Sequence, residues 1–164
     1  RLNPIHEGTN GIQALDLLGR KVLLMTQGGA VREFTLKVAN FARKHLTNKQ
    51  LRPMAVELLK LTAQWNLLTV RVMLAARKDR DVVSAAANDF LMYSGYVTMA
   101  YMWLRQAAVA SDKLENGGAE SDAFYRTEFY YERLLPRAQA HATSMLSPTR
   151  NLMQVAPEEM AFTG

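Results

Sequence analysis

Apolar residues recur along this chain at three-and-four spacing in five successive stretches, and no segment shows the alternating, β-branched run of a strand. The pattern predicts an all-α protein. A first helix carries Ile12, Leu15, Leu18, Val22 and Met25, with Asn10 as its cap and Gly28-Gly29 as its end. A second presents Val31, Phe34, Val38, Phe41 and His45 and stops near Thr47-Asn48. A third starts around Pro53, whose missing N–H suits a first helical turn, and runs through Val56, Leu59, Ala63, Leu67, Val70 and Leu74 to the charged turn at Lys78–Asp81.

The fourth and longest pattern presents Ala86, Phe90, Tyr93, Val97, Ala100, Leu104 and Ala108 and breaks at Asn116-Gly117-Gly118. Gly95 in its middle weakens the helix by about 1 kcal/mol relative to Ala, so it is read as a point of close helix approach. From Tyr93 to Trp103 both faces are apolar, which points to a second packing surface on another domain or subunit. A fifth helix, capped by Ser121 or Asp122, holds Phe124, Tyr131, Leu135, Ala138, Ala142 and Met145, with Pro136 interrupting it. The tail from Ser147, with Pro148 and Pro157, reads as irregular or as carrying one short helical turn. The expected architecture is an up-and-down four-helix bundle with one helix before it.

Composition sharpens this picture only slightly. With 164 residues, half of them apolar and a fifth charged, the chain is a folded globular domain with one core. It has no cysteine, which removes disulfides and thiolate metal sites and leads to a cytoplasmic expectation. The net charge of +5 is spread along the chain, so no nucleic-acid or membrane-surface footprint is expected. No apolar run approaches the roughly 18 residues of a transmembrane helix. No Glu-x-x-His pair accompanies His6, His45 or His141, so no metal site is expected; His45 reads as a helix-end residue and His141 as a partly exposed helix residue. The start, Arg1-Leu2-Asn3-Pro4, lacks an initiator Met and reads as a loop, which suggests a piece of a longer chain.

One stretch carries candidate chemistry. Glu7-Gly8-Thr9-Asn10 reads as a short turn feeding a helix N-terminus, where a carboxylate, permissive backbone and free N–H donors meet; such a place suits an anion or polar cofactor. The structural alternative is a favourable charge, a turn and a cap.

The string His6-Glu7-Gly8-Thr9-Asn10-Gly11-Ile12-Gln13-Ala14-Leu15-Asp16-Leu17-Leu18-Gly19-Arg20-Lys21 resembles the C-terminal segment of acyl-CoA dehydrogenases, in which a Glu-Gly-Thr turn leads into the last helix of the catalytic bundle. From about Val31 to Leu146 the chain resembles the additional helical C-terminal domain of a longer bacterial subgroup, through Asn88–Tyr96, Phe124-Tyr125-Arg126 and Leu134-Leu135-Pro136-Arg137. The resemblance implies residues 1–29 as the end of the catalytic bundle and 30–164 as the additional domain. It implies an FAD-dependent enzyme converting an acyl-CoA thioester to trans-2-enoyl-CoA, with Glu7 as catalytic base, Gly8 at the substrate, and Thr9, Asn10 and Gly11 at FAD.

Electron-transfer flavoprotein is the implied electron acceptor, and a homo-oligomer the implied assembly. His6 stands where the family usually has Tyr, which alters the pocket wall but leaves the base in place. The isolated chain is expected to be inactive, because the remaining pocket walls belong to the catalytic part. The competing reading is a stand-alone helical interaction or oligomerisation module.

Overall fold

The computed structural model describes residues 3–115 and 122–150, with side chains from 9 to 113 and 122 to 150. All regular structure among them is helical. Helix α1 (Asn3–Leu15) continues as a π-helical stretch (Asp16–Met25); α2 (Gly29–Lys44), α3 (Arg52–Ala76) and α4 (Asp81–Glu115) follow. The fifth pattern is divided into α5 (Ala123–Phe129), a π turn (Tyr130–Leu134), a 3₁₀ turn (Leu135–Arg137) and α6 (Ala138–Ser144). Pro136 explains the division, since a ring without an N–H cannot continue the α-helical ladder and the chain reroutes through wider and tighter turns.

Helix α4 is the centre of the fold. Phe90, Tyr93, Val97, Ala100 and Leu104 on its inner stripe are completely buried, as the spacing predicts. Helix α3 and the α5–α6 segment pack on it, α2 packs on α3, and the first helix lies against α4. An edge-to-face chain joins three helices through Phe41–Tyr101 (5.4 Å), Phe34–Tyr101 (6.2 Å) and Phe34–Trp65 (6.0 Å). Three buried tyrosine hydroxyls each donate to a carbonyl on another helix at 3.0 Å: Tyr93 to Leu61, Tyr130 to Tyr96 and Tyr131 to Ala100. Each pins a helix pair at a fixed register while satisfying a polar atom that burial would otherwise penalise.

Polar side chains close the helix ends. Asn48 accepts from the N–H groups of Gln50 and Leu51 and donates to Ser111 on α4 at 2.9 Å, so one amide both starts α3 and anchors it. Asp79 accepts from the N–H of Asp81 and from the Thr149 hydroxyl, tying the α3–α4 turn to the chain beyond α6. At the end of the π stretch Gln27 and Gly28 take left-handed backbone angles, φ +49° and +83°, and the Gly28 N–H returns to Val22 O at 2.8 Å. Asp122 precedes α5 as expected, but its carboxylate pairs with Arg126 and makes no cap bond. The expected break at Asn116-Gly117-Gly118, the alternative cap Ser121 and the tail at Pro157 lie outside the described residues; α4 ends at Glu115.

Four expectations are corrected. Asn3-Pro4 is not a loop: Pro4, with its fixed φ, stands in the first turn of the helix Asn3–Leu15, while Arg1 and Leu2 lie outside the described residues. The buried stripe of the first helix is Ala14, Leu18 and Val22, while Ile12 (69 % exposed) and Met25 (66 %) face outward. The π stretch advances by a smaller angle per residue than an α-helix, so three-and-four spacing ceases to mark one face there.

On α3 the inner stripe is Leu58, Leu61, Trp65, Leu68 and Val72; the expected Leu67, Val70 and Leu74 are exposed. This helix is apolar on two sides, and its inner stripe includes Thr62 and Thr69, whose hydroxyls bond the carbonyls of Leu59 and Trp65 at 2.8 Å and so tolerate burial. Gly95 is not a close helix approach, because a Cβ built there meets nothing within 4 Å. The close approach belongs to Gly19, where a Cβ would stand 3.4 Å from Val83 on α4.

Two measurements check this account. Gly28→Ala should lower stability by about 1–2 kcal/mol in urea denaturation, because the left-handed angle is strained for any Cβ even though its nearest neighbour, Thr69 Cγ2, would stand at an ordinary 3.5 Å. Burial pushes the Tyr130 phenol up to about 12, and burial likewise raises Tyr93 and Tyr131. A raised folded-state pKa stabilises the neutral form, so this contribution is intact below pH 10 and is lost as pH climbs towards 12. Circular dichroism with parallel ultraviolet titration should show unfolding and phenolate formation together in that window, and Tyr131→Phe should delay both.

Candidate functional site

Glu7, Gly8, Thr9, Asn10 and Gly11 all lie within α1. The expected turn is absent, and Asn10 is an interior helical residue rather than a cap. By their place in the helix, the N–H groups of residues 9–11 bond carbonyls one turn back, so they are not donors at a helix N-terminus. Thr9, Asn10 and Gly11 are exposed, and a Cβ at Gly11 would meet open space. In this conformation these three residues do not form a cradle for a flavin. Glycine at positions 8 and 11 weakens the helix by about 1 kcal/mol each relative to Ala, making this the easiest part of α1 to unwind.

The helix is anchored one turn further on. Ala14, Leu18 and Val22 enter the same core as Ala86, Ala87 and Phe90 of α4. On the outer side Arg20 and Lys21 both pair with Asp16, and the hydrogen bond from Arg20 holds the Asp16 carboxyl below the usual carboxylate range. The Thr26 hydroxyl donates to the carbonyl region of Lys21 and Val22 and accepts from the Ala30 N–H, joining the π stretch to α2.

Between the π stretch, α2 and α4 runs an apolar groove of ≈ 500 Å³. Leu17, Val22, Phe34 and Phe90 line it, Trp65 of α3 lies at its base, and Gly95 and Met99 lie along its α4 side. The buried indole N–H of Trp65 has no hydrogen-bond partner among the described residues. Among the described residues no charged side chain lines this groove, so it offers shape and apolar surface with only the hydroxyls of Ser94 and Thr98 as polar groups. Sequence reading marked the second apolar face of α4 but not the groove; the signal that pointed to it was the absence of charge from Phe90 to Leu104.

His141 of α6 holds Asp89 of α4 through Nδ1 at 2.8 Å and stacks on Tyr96 with ring centres 5.8 Å apart. It links two helices, a role its spacing alone does not reveal. His45 closes α2 as expected, its N–H reaching the Ala42 carbonyl while the Leu46 N–H reaches that of Arg43, with the His45 ring against Phe41. Among the described residues no cluster of three His, Asp or Glu side chains could hold a metal ion, and no helix is long and apolar enough to cross a membrane.

The fold and these surfaces define an all-α helical-bundle domain built around one apolar helix. Residues 34–156 match the family described as acetyl-CoA dehydrogenase C-terminal like, and the chain belongs to that family. No curated protein and no solved structure matches it.

If the His141–Asp89 contact is a tether between α6 and α4, His141→Ala should cost about 1–2 kcal/mol in thermal or urea denaturation. His141→Phe should recover part of this through its ring on Tyr96; full stability in the alanine variant would show that the contact carries no load.

Proposed function

We propose that this chain is the C-terminal part of an FAD-dependent acyl-CoA dehydrogenase, with residues 1–29 completing the catalytic bundle and 30–164 forming the additional helical domain. The observation that carries this reading is the family match over residues 34–156, downstream of the Glu7-Gly8-Thr9-Asn10 string. The left-handed Gln27-Gly28 corner, just before the match begins, supports the boundary.

In this reading Glu7 removes the α-proton of an acyl-CoA thioester, giving trans-2-enoyl-CoA as the overall product. A carboxylate does this best in a water-poor pocket, where desolvation raises its basicity. The main-chain N–H of residue 7 is the donor that the family places at the thioester oxygen, and a helical N–H already bonded one turn back cannot serve there. The two glycines at 8 and 11 make unwinding of this segment cheap, so the catalytic part reshapes it at little cost while Ala14 and Leu18 keep the following turn fixed. FAD supplies the hydride acceptor when bound; the conformation described above offers it no seat, and Thr9, Asn10 and Gly11 reach it only after that unwinding. Electron-transfer flavoprotein is the proposed oxidant of the reduced enzyme.

Glu7→Gln in the longer enzyme should leave folding and flavin content near normal and lower kcat by at least about 10²–10⁴-fold. Undiminished dehydrogenation by that variant would remove Glu7 as the base. The 164-residue chain alone should not retain FAD through gel filtration; stoichiometric retention would overturn the view that the flavin pocket lies mainly in other residues.

A further inference from the structure

Helix α4 carries a second apolar seam that the other described residues leave uncovered. Asn88, Met92, Gly95, Met99, Met102 and Gln106 follow one another in alternating steps of four and three, and all are exposed. Alternation of that kind is the heptad spacing of a helix-pairing seam. Between Asp89 and Arg105 the helix has no charged residue on any face. A helix apolar all round requires cover all round.

Gly95 gives the seam its shape. A Cβ there would meet nothing within 4 Å, so packing among the described residues gives no reason for a residue that weakens the helix. A side chain arriving from outside gives one. Gly95 and Met99 also border the apolar groove, so the notch opens onto a surface able to receive a flexible thioether.

The seam reads alike from its two ends. With a two-fold axis at Val97, an antiparallel pair of α4 helices sets Gly95 opposite Met99, Met92 opposite Met102, Asn88 opposite Gln106 and Asp81 opposite Lys113. Small meets large, thioether meets thioether, amide meets amide, and acid meets base. Neither Asp81 nor Lys113 has an ion-pair partner among the described residues, and both are exposed. A parallel pair would oppose Gly95 to Gly95, Asp81 to Asp81 and Lys113 to Lys113, leaving a gap and two repulsions. We infer that α4 is the dimer helix of this protein: a second copy of the chain docks antiparallel on the Met92–Gly95–Met99–Met102 seam, each Met99 seating over the partner's Gly95.

This inference stands apart from the dehydrogenase reading and is tested on the 164-residue chain itself. Sedimentation and light scattering should give twice the 18.4 kDa chain mass. Gly95→Leu should produce a monomer with unchanged helical circular dichroism, because the new side chain enters open space in the single chain and the seat of Met99 in the pair. Asp81→Lys and Lys113→Asp should each weaken association about tenfold, and the double exchange should restore it.

The chain has no cysteine, so engineered thiols report register directly. Met92→Cys with Met102→Cys should cross-link two chains on mild oxidation, and Met92→Cys alone should not. A chain that stays monomeric at high concentration overturns the inference; so does a dimer indifferent to Gly95→Leu, or cross-linking through Cys at 92 alone.

Discussion

The rest of this structure depends on one constraint, the burial of a long helix that has no polar side. From Phe90 to Leu104 the exposed residues of α4 are three methionines and a glycine. Its inner stripe is removed from water completely, and each fully buried large apolar side chain contributes about 1.5–3 kcal/mol. The other helices are arranged as cover for it: α3 through Trp65 and Leu61, the α5–α6 segment through Tyr130, Leu135 and Ala138, and the first helix through Ala14 and Leu18.

Covering a helix from several sides at once creates polar conflicts, and these are met by bonds to main-chain carbonyls. The hydroxyls of Tyr93, Tyr130 and Tyr131 donate to carbonyls of other helices, while Thr62, Thr69, Ser94 and Thr127 turn back on their own helix. None of these bonds requires a buried charge. The two indole N–H groups of Trp65 and Trp103 are the exceptions, buried without a partner among the described residues. Each costs about 1–3 kcal/mol and lies beside large apolar area, so the aromatic surface outweighs it.

Legibility in the sequence followed from how uniquely a pattern fixed a face. On α4 the inner stripe could be read in full, because the aromatic and branched residues Phe90, Tyr93, Val97 and Leu104 stand opposite a side made of methionines and a glycine. On α3 it could not: Leu67, Val70 and Leu74 repeat as regularly as Leu61, Trp65, Leu68 and Val72, and the difference lies in which neighbours arrive. Along the first helix the π stretch breaks the period on which such readings rely, which is why Ile12 and Met25 were misplaced. Pro136 was legible because its effect is covalent. The candidate chemistry at Glu7 came from resemblance, since a Glu-Gly-Thr string has the same local chemistry in a turn, at a cap or inside a helix.

This last point bears on how the proposed catalytic residue relates to the domain behind it. Glu7 precedes Ala14, the first described side chain in the core, by two helical turns, about 10 Å along the axis. While those turns remain helical, the segment behaves as a lever, and any shift of the first helix on α4 moves residue 7 with it. Once the segment carrying Gly8 and Gly11 unwinds, that mechanical link is lost and Glu7 takes its position from the partner surface alone. The packing of Ala14 and Leu18 on α4 then sets only where the turn begins. Under the proposed function the domain therefore contributes a fixed anchor beside the active site, and the pocket that makes Glu7 a base is shaped by residues on the other side of that turn.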